Sequence, residues 1–338
     1  MTVSEDFTSA TGRFRGELLA HCYRMLGSAE EAEDLVQETY LRAWRSYAGF
    51  EGRASVRTWL YRIATNVCLT ALERRSRRPL PSGLGAPSSD PETPVVAGEA
   101  PWLQPLPDVL LAGRREDPAA VAASRAGIRL AFVAALQHLS ARQRAVLILR
   151  DVLEWPTAQV ADLLSTTTTA VNSGLRRARA QLAQALPAED ELAEPAEPDR
   201  RALLDRFATA VENADGSALA QLLAEDIALE MPPALTWFAG RQAVTAFTAS
   251  RLFAKPGGLR LVPVMANGQP AFAVYRRETG GAYLAHAVQV LTLTAAGVAR
   301  IVAFTDPGLF TLFGLPLQHT AADGSAAAPP PVPGPGSA

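Results

Sequence analysis

The stretch AEDLVQETYLRAW, residues 32–44, has the apolar spacing of an amphipathic helix. At about 100° per residue, one face is apolar or aromatic and is predicted to be core: Val36, Tyr40, Ala43 and Tyr47, with Trp44 at its border. The opposite face is polar apart from one leucine: Asp34, Gln37, Glu38, Leu41 and Arg45. A stray exposed leucine on a solvated face is common. A docking surface around an apolar contact fits the pattern equally well.

The next stretch, FEGRASVRTWLYRIATNVCLTALERRSRR (residues 50–78), interleaves aromatic residues with arginines. Exposed bases of single-stranded nucleic acid stack on aromatic rings, and their phosphates require neutralisation. The alternative is that Trp59 and Ile63 are core residues, which we favour for Trp59. The polar groups of the loop 52–55 fit a pocket for an unstacked base.

The stretch LSARQRAVLILRDVLEWPTAQVADLL, residues 139–164, leads into STTTTAVNSGLRRARAQL, residues 165–182. Ser140 is a predicted N-cap, and the last helix has an apolar inner face: Val171, Leu175, Ala178 and Leu182. Its outer face is small, polar or basic: Thr168, Thr169, Asn172, Ser173, Arg176, Arg177 and Arg179. This order predicts a helix-turn-helix whose second helix meets base edges first and phosphates behind. The plain alternative is a basic solvated helix.

Composition narrows the function classes. The 338 residues carry a net charge of −2 and are 48% hydrophobic, which predicts two or three packed domains. Between Ser124 and Leu182, however, the sequence has eight arginines and only three acidic residues. Positive charge is therefore concentrated in a stretch where it could bind a polyanion. No apolar run is long enough to span a bilayer, and the polar, acidic N-terminus argues against a secretory signal. We expect a cytoplasmic protein in which Cys22 and Cys68 are reduced and buried.

Shifts in composition predict the domain boundaries. Residues 10–78 form a first helical block, residues 79–118 a Pro/Gly-rich linker, and residues 119–186 a second helical block. The C-terminal block, residues 199–317, is expected to have helices, the second of them over residues 217–226, followed by an antiparallel sheet. Residues 321–338 are expected to form a disordered tail. The linker contains an apolar island around Trp102, which is expected to be anchored by packing. The strip PGLFTLFGLP, residues 307–316, is a candidate partner for it.

Residues 32–44 and 50–66 together resemble region 2 of the extracytoplasmic-function group of sigma-70 factors, and residues 139–164 resemble the start of region 4. The resemblance implies that the first motif binds the β′ clamp helices of core RNA polymerase, through Asp34, Gln37, Glu38 and Leu41. It places near the −10 strand Phe50, Arg53, Ser55, Arg62 and Asn66. The outer face of the helix-turn-helix would then bind the −35 element. The chain departs from the family in the turn, at Ser165 and Thr166. It also departs at Asn172 and Gly174, where basic residues are common in the family, which implies weaker binding to phosphate.

The C-terminal block resembles the SnoaL-like, or NTF2-like, cone through FATAVENAD, LLAEDIALEMPP, TWFAGRQAV and VARIVAFTDPGLF. Such an extension is characteristic of the SigG/SigJ subgroup, in which it is thought to regulate the sigma factor. Cones of this kind also host enzymes, and the polar candidates here are Asp226, Glu230, Tyr275, Tyr283 and His286. Acid–base catalysis requires two or three of them to converge, and nothing in their spacing demands it.

The sequence therefore predicts a multidomain protein with two all-α domains and an α+β cone. The implied function is a sigma factor whose partners are core polymerase (β′ and β subunits) and promoter DNA, with contacts between the cone, the linker and the helical blocks. No catalytic residue, metal or cofactor is implied. The alternatives are a DNA-binding regulator with a ligand-sensing cone and, less favoured, a cone-fold isomerase or hydrolase.

Overall fold

A computed structural model describes residues 3–52, 54–73, 77–111, 127–185, 195–253 and 256–319, with side chains from residue 6 onward. The predicted tail at 321–338, the end of the linker at 112–118 and Arg53 lie outside the described residues. The beginning of the second helical block, as far as residue 126, does so too.

The first block consists of four helices: α1 Val3–Thr11, α2 Arg15–Leu26, α3 Ala29–Ser46 and α4 Val56–Leu72. Helix α2 ends at Gly27, whose φ of 72° suits glycine. Helices α3 and α4 begin at serine N-caps that accept backbone hydrogen bonds. Helix α1 begins before the predicted start of the block at residue 10, and its Phe7 packs edge-on against Tyr47 with centroids 5.1 Å apart.

The second block contains α5 Leu130–Leu136, α6 Ala141–Leu147, α7 Thr157–Leu163 and α8 Thr168–Ala185. A π-turn, Ile148–Val152, continues α6. Ser140 caps α6 as predicted, in a capping box with Gln143. Three of the predicted inner-face residues of α8, Val171, Leu175 and Ala178, are buried, and Leu182 is partly buried against them.

The C-terminal block has helices α9 Glu197–Glu212, α10 Gly216–Leu222, α11 Arg241–Arg251 and α12 Leu309–Leu312. Its strands are β1 Leu223–Glu230, β2 Trp237–Ala239, β3 Leu259–Ala266, β4 Gln269–Arg277, β5 Tyr283–Thr294, β6 Gly297–Phe304 and β7 Gln318–His319. The sheet order is β2-β1-β6-β5-β4-β3, with β7 paired to β5.

One sequence prediction for the sheet was wrong, and another held for only part of it. The segment 223–226 is predicted to be helical but opens β1, where Leu223 and Ala224 are buried while Glu225 and Asp226 face solvent across a bulge. The predicted antiparallel pairing is found between β3, β4, β5 and β6, but the sheet as a whole is mixed, since β1 runs parallel to β6. These two strands are far apart in sequence, so no tight turn fixes their relative direction.

The two faces of the sheet have different neighbours. One face packs under helices α9–α11, where Phe207 stacks on Phe272 with centroids 5.9 Å apart. The other face carries Ala273, Val288 and Val302, and it belongs to the same hydrophobic cluster as the cores of both helical blocks. The three blocks therefore share one continuous core.

The linker is anchored along much of its described length. Leu103 and Leu106 are fully buried, and each such side chain stabilises the fold by about 1.5–3 kcal/mol. Near Ser88 the linker pairs with β2, and the backbone N–H of Gly98 donates to Pro233 O at 2.7 Å. Such regular anchoring was not expected from a Pro/Gly-rich composition.

The expected contact between Trp102 and the strip 307–316 is not what the structure shows. The indole Nε1 of Trp102 donates to Gly98 O at 3.2 Å, and its ring lies with Leu235 close to Gly98. Phe310 of the strip packs edge-on against Tyr275, with centroids 5.0 Å apart. The strip and Trp102 are thus anchored separately, because both have nearer apolar partners.

Candidate polymerase and promoter surfaces

The polar face of α3 is open to solvent. Leu41 is 52% exposed, and Asp34 and Gln37 are exposed beside it. Glu38 is half-buried and forms an i,i+4 ion pair with Arg42 at 2.6 Å. Trp44, which is 42% exposed, extends the apolar surface along the same helix. The arrangement is an apolar contact ringed by acids and an amide.

The loop before α4 brings two predicted groups together. The ring of Phe50 lies 4.8 Å from that of Trp59, and Trp59 packs partly buried against the core. Ser55 serves as the N-cap of α4, accepting from Thr58 N at 3.0 Å. Its hydroxyl therefore has a structural role in addition to the predicted one. Arg53 lies outside the described residues.

Further along α4, Arg62 and Asn66 are exposed one turn apart. Arg62 forms an ion pair with Asp162, at the end of α7 in the second block. Arg57, which the sequence groups with the other arginines, instead pairs with Glu17 at 2.7 Å and covers the ring of Tyr61. Of these three side chains, Arg62 and Asn66 are exposed, whereas Arg57 is half-buried.

The outer face of α8 is presented as the helix-turn-helix pattern predicts. Its start is stabilised by Thr167, whose Oγ1 accepts from Ala170 N at 3.1 Å. The predicted outer residues are exposed except for half-buried Ser173: Thr168, Thr169, Asn172, Arg176, Arg177 and Arg179. A groove of about 370 Å³ lies beside them, between α6 and α8, and its lining includes Arg142, Gln143, Gly174 and Arg177.

The arginines of α8 are not equivalent. Arg179 forms a bidentate pair with Asp151, at 2.7 and 2.8 Å, and this pairing raises its pKa. Among the described residues, Arg176 and Arg177 have no such carboxylate partner. Asp151 was not recognised from sequence as a partner, because only the fold brings it next to α8.

The two helical blocks are in direct contact. Tyr61 of α4 and Trp155, before α7, are both buried, with centroids 5.4 Å apart. Arg144 of α6 is also buried, and its guanidinium donates to Met25 O in α2. Together with the Arg62–Asp162 pair, these contacts place the predicted −10 surface against the helix-turn-helix. This pairing joins residues far apart in the chain, and no local sequence pattern predicts it.

Cys22 and Cys68 are both free and buried, as predicted. A hydrogen bond with Cys22 and then burial raise the pKa of the Cys68 thiol. A thiol that stays protonated is a poor nucleophile.

The polar candidates of the cone do not converge. Glu230 is fully buried, pairs with Arg300 at 2.5 Å and accepts from Ser82 N of the linker at 2.8 Å. Tyr275 donates to Pro316 O at 3.0 Å, and sheet register places it on the order of 15–20 Å from Glu230.

The remaining three candidates each have partners of their own. Tyr283 lies on β5, two register positions from Tyr275 on β4, and donates to Gly257 O at 2.9 Å, while Asp226 is exposed. Burial, followed by the charge of Arg276, lowers the pKa of His286 to about 4. The five candidates therefore do not form an acid–base pair with one another in the described part of the chain.

No group of three or more His, Cys, Asp or Glu side chains is placed to hold a metal ion within the described part of the chain. A helix long and apolar enough to cross a membrane is likewise not found among the described residues.

Comparisons with known proteins agree with this division of the chain. Residues 12–78 match the family model Sigma-70 region 2, residues 129–182 match Sigma-70, region 4, and residues 204–304 match the SnoaL-like domain. The chain is 52% identical to ECF RNA polymerase sigma factor SigG of Mycobacterium tuberculosis over 314 residues, which cover 92% of this chain and 84% of that one. The chain belongs to the extracytoplasmic-function sigma-70 family. The family and the fold class predicted from sequence are therefore confirmed.

Two further similarities are weaker. The crystal structure of Mycobacterium tuberculosis SigJ covers 94% of this chain and 100% of its own, with a TM-score of 0.57 and 23% identity, which shows a shared fold. The RNA polymerase sigma-H factor of Pseudomonas aeruginosa is 28% identical over 177 residues, or 52% of this chain and 82% of that one.

Proposed function

We propose that this extracytoplasmic-function sigma factor binds core RNA polymerase through the polar face of α3 and directs promoter-specific initiation in the cytoplasm. The observation that supports this most is the exposure of Leu41 among Asp34, Gln37 and Glu38. An apolar side chain ringed by polar groups is the usual anatomy of a binding hot spot. The expected partners on polymerase are the β′ clamp helices and, for the second block, the β subunit.

The promoter is read by two surfaces. In the first block, the groups expected near the −10 strand are Phe50, Arg53, Ser55, Arg62 and Asn66. In the second block, the start of α8 meets the −35 bases through Thr168, Thr169, Asn172 and Ser173, while Arg176, Arg177 and Arg179 bind phosphate. Since Arg179 is held by Asp151, Arg176 and Arg177 carry most of the free positive charge.

The C-terminal block modulates this activity by holding the helical blocks together. Elements centred about 25 base pairs apart are separated by roughly 85 Å along B-DNA. Arg62 of the −10 surface, in contrast, contacts Asp162 of the helix-turn-helix directly. The two surfaces therefore have to separate before both elements are bound, and the shared core with the sheet opposes that separation.

Run-off transcription with purified core polymerase tests the function. The template is a promoter fragment selected from randomised DNA by binding to polymerase reconstituted with the full-length protein. We expect a defined transcript with the wild-type protein and none with core polymerase alone. If the protein binds DNA by itself but adds no initiation to core polymerase, the DNA-binding regulator is the better description.

A further inference from the structure

The turn Asn267–Gly268, which joins β3 to β4, lies buried where the three blocks and the linker meet. Asn267 and Gly268 have φ values of 58° and 67°, and an Asn-Gly pair is well suited to such a hairpin turn. Hairpin tips normally lie on the surface. Asn267 is instead fully buried.

The polar groups of Asn267 bind three separate parts of the chain. Its Nδ2 donates to Tyr23 Oη in the first block and to Ile128 O in the second block, just before α5, each at 2.7 Å. Its Oδ1 accepts from Leu106 N of the linker, and its own N–H donates to Leu106 O, each at 2.9 Å. One amide side chain thus bridges the first block, the linker and the second block.

The neighbours of Asn267 strengthen the same junction. Gln269 Oε1 accepts from Leu130 N at 2.9 Å, so a C-terminal side chain satisfies the first-turn N–H of α5. Gly268 N donates to Asp108 Oδ1 of the linker at 2.8 Å. Tyr23 Oη donates in turn to Gln104 O at 2.8 Å. The buried network is satisfied only when the hairpin tip is inserted.

We propose that the Asn267 hairpin tip is the pin that keeps the two helical blocks closed on each other. If the tip withdraws, Ile128 O and Leu106 N lose their partner and Leu130 N loses its cap, so a closed junction without the amide is disfavoured. The biological role of this pin depends on the proposed function. Since Leu41 is exposed in the closed arrangement, polymerase binding comes first and withdrawal of the tip precedes promoter reading.

The variant Asn267→Gly distinguishes the role of the Asn267 side chain from that of the hairpin turn. Glycine adopts positive φ readily, so the hairpin is kept while the bridging amide is removed. Asn267→Asp is a second variant that keeps the shape and still accepts from Leu106 N, but replaces the donor to Ile128 O by an oxygen. Ala214→Gly is the matched control, since Ala214 also has positive φ, 53°, in the same block.

Distance measurements between spin labels test the pin on the full-length protein without polymerase or DNA. Labels go on Thr70→Cys of α4 and Gln181→Cys of α8, both exposed, while Cys22 and Cys68 are buried and do not react. We expect one short distance for the wild type and for Ala214→Gly. Both Asn267 variants should show a second, longer population, with the open fraction raised at least tenfold.

Unchanged distances in both Asn267 variants, with circular dichroism showing them folded, would overturn the pin. So would an equal opening in Ala214→Gly. If one Asn267 variant fails to fold, the other decides. These measurements need no transcription. A failure of the run-off assay therefore refutes the proposed function, whereas the pin is tested by the spin-label distances alone.

Discussion

The surface proposed for polymerase and the surfaces proposed for promoter DNA are presented differently. The face of α3 around Leu41 is open, and Leu41 is exposed to solvent. On α4 and α8, by contrast, Arg62 and Arg179 are already paired with Asp162 and Asp151. A carboxylate in such a position occupies the site where a phosphate would bind.

The difference indicates an order of events. A surface that is exposed binds without rearrangement, whereas a surface paired with another part of the chain first has to be released. We therefore expect the described conformation to bind polymerase without rearrangement, and to read both promoter elements only after the two surfaces have separated.

The largest expected effect comes from Leu41→Arg. Replacing an apolar anchor at the centre of an interface by a charge typically costs about 2–4 kcal/mol, so affinity for core polymerase should fall roughly 30- to 1000-fold. Binding to labelled core polymerase measures this. Leu84→Arg is the matched control, because Leu84 is a similarly exposed leucine, at 45%, on the linker. An equal loss of polymerase affinity in both variants would contradict the proposal that polymerase binds this face of α3.

A smaller effect is expected from Arg176→Ala combined with Arg177→Ala. Each phosphate contact adds about 0.9 to the slope of log affinity against log salt on duplex DNA. The double variant, assembled with polymerase, should bind promoter about tenfold more weakly and lose roughly two units of that slope. Binding is measured across a salt series. The pair Arg200→Ala and Arg201→Ala on α9 is the control, and an unchanged slope in the α8 variant would contradict the docking of α8 on DNA.

The sequence predicted local features well where neighbouring residues determine them. The cap at Ser140 and the inner face of α8 depend on spacing within one helix, and the structure has both. The parallel pairing of β1 with β6 was missed because it depends on residues some seventy positions apart. The helix assigned to 223–226 was wrong because bulged strand and helix patterns look alike over four residues.

The candidate sites were likewise predictable where they depend on neighbouring residues, and not where they depend on long-range contacts. Leu41 and the outer face of α8 were predicted from helical periodicity and are exposed. The pairing of Arg62 with Asp162 was not predictable, since the two residues belong to separate blocks. The burial of Asn267 was equally hidden, because an Asn-Gly turn between two strands normally indicates an exposed hairpin tip.

A modest effect is expected from Asp162→Asn. The Arg62–Asp162 pair is exposed on both sides, with side-chain exposures of 46% and 73%, so it is worth about 0–1 kcal/mol. Releasing Arg62 should raise affinity for −10 single-stranded DNA about two- to fivefold at low salt and less at high salt. Fluorescence anisotropy measures this. Asp199→Asn on α9 removes the same charge elsewhere. An equal gain in DNA affinity in that variant would show that the effect comes from the change in net charge and not from the release of Arg62.

The smallest effects concern the scaffold of the helix-turn-helix. Ser165 has a φ of 49° in the turn, a conformation that costs a non-glycine residue about 1–2 kcal/mol, so Ser165→Gly should stabilise the protein by roughly 0.5–1 kcal/mol. Gly174→Ala should add about 1 kcal/mol through helix propensity, since a Cβ there meets no atom within 4 Å. Thermal unfolding measures both. Because neither change alters the charge of α8, promoter affinity should stay within about twofold. A larger change in affinity would show that promoter reading is limited by the stability of this motif rather than by the pairing of its surfaces.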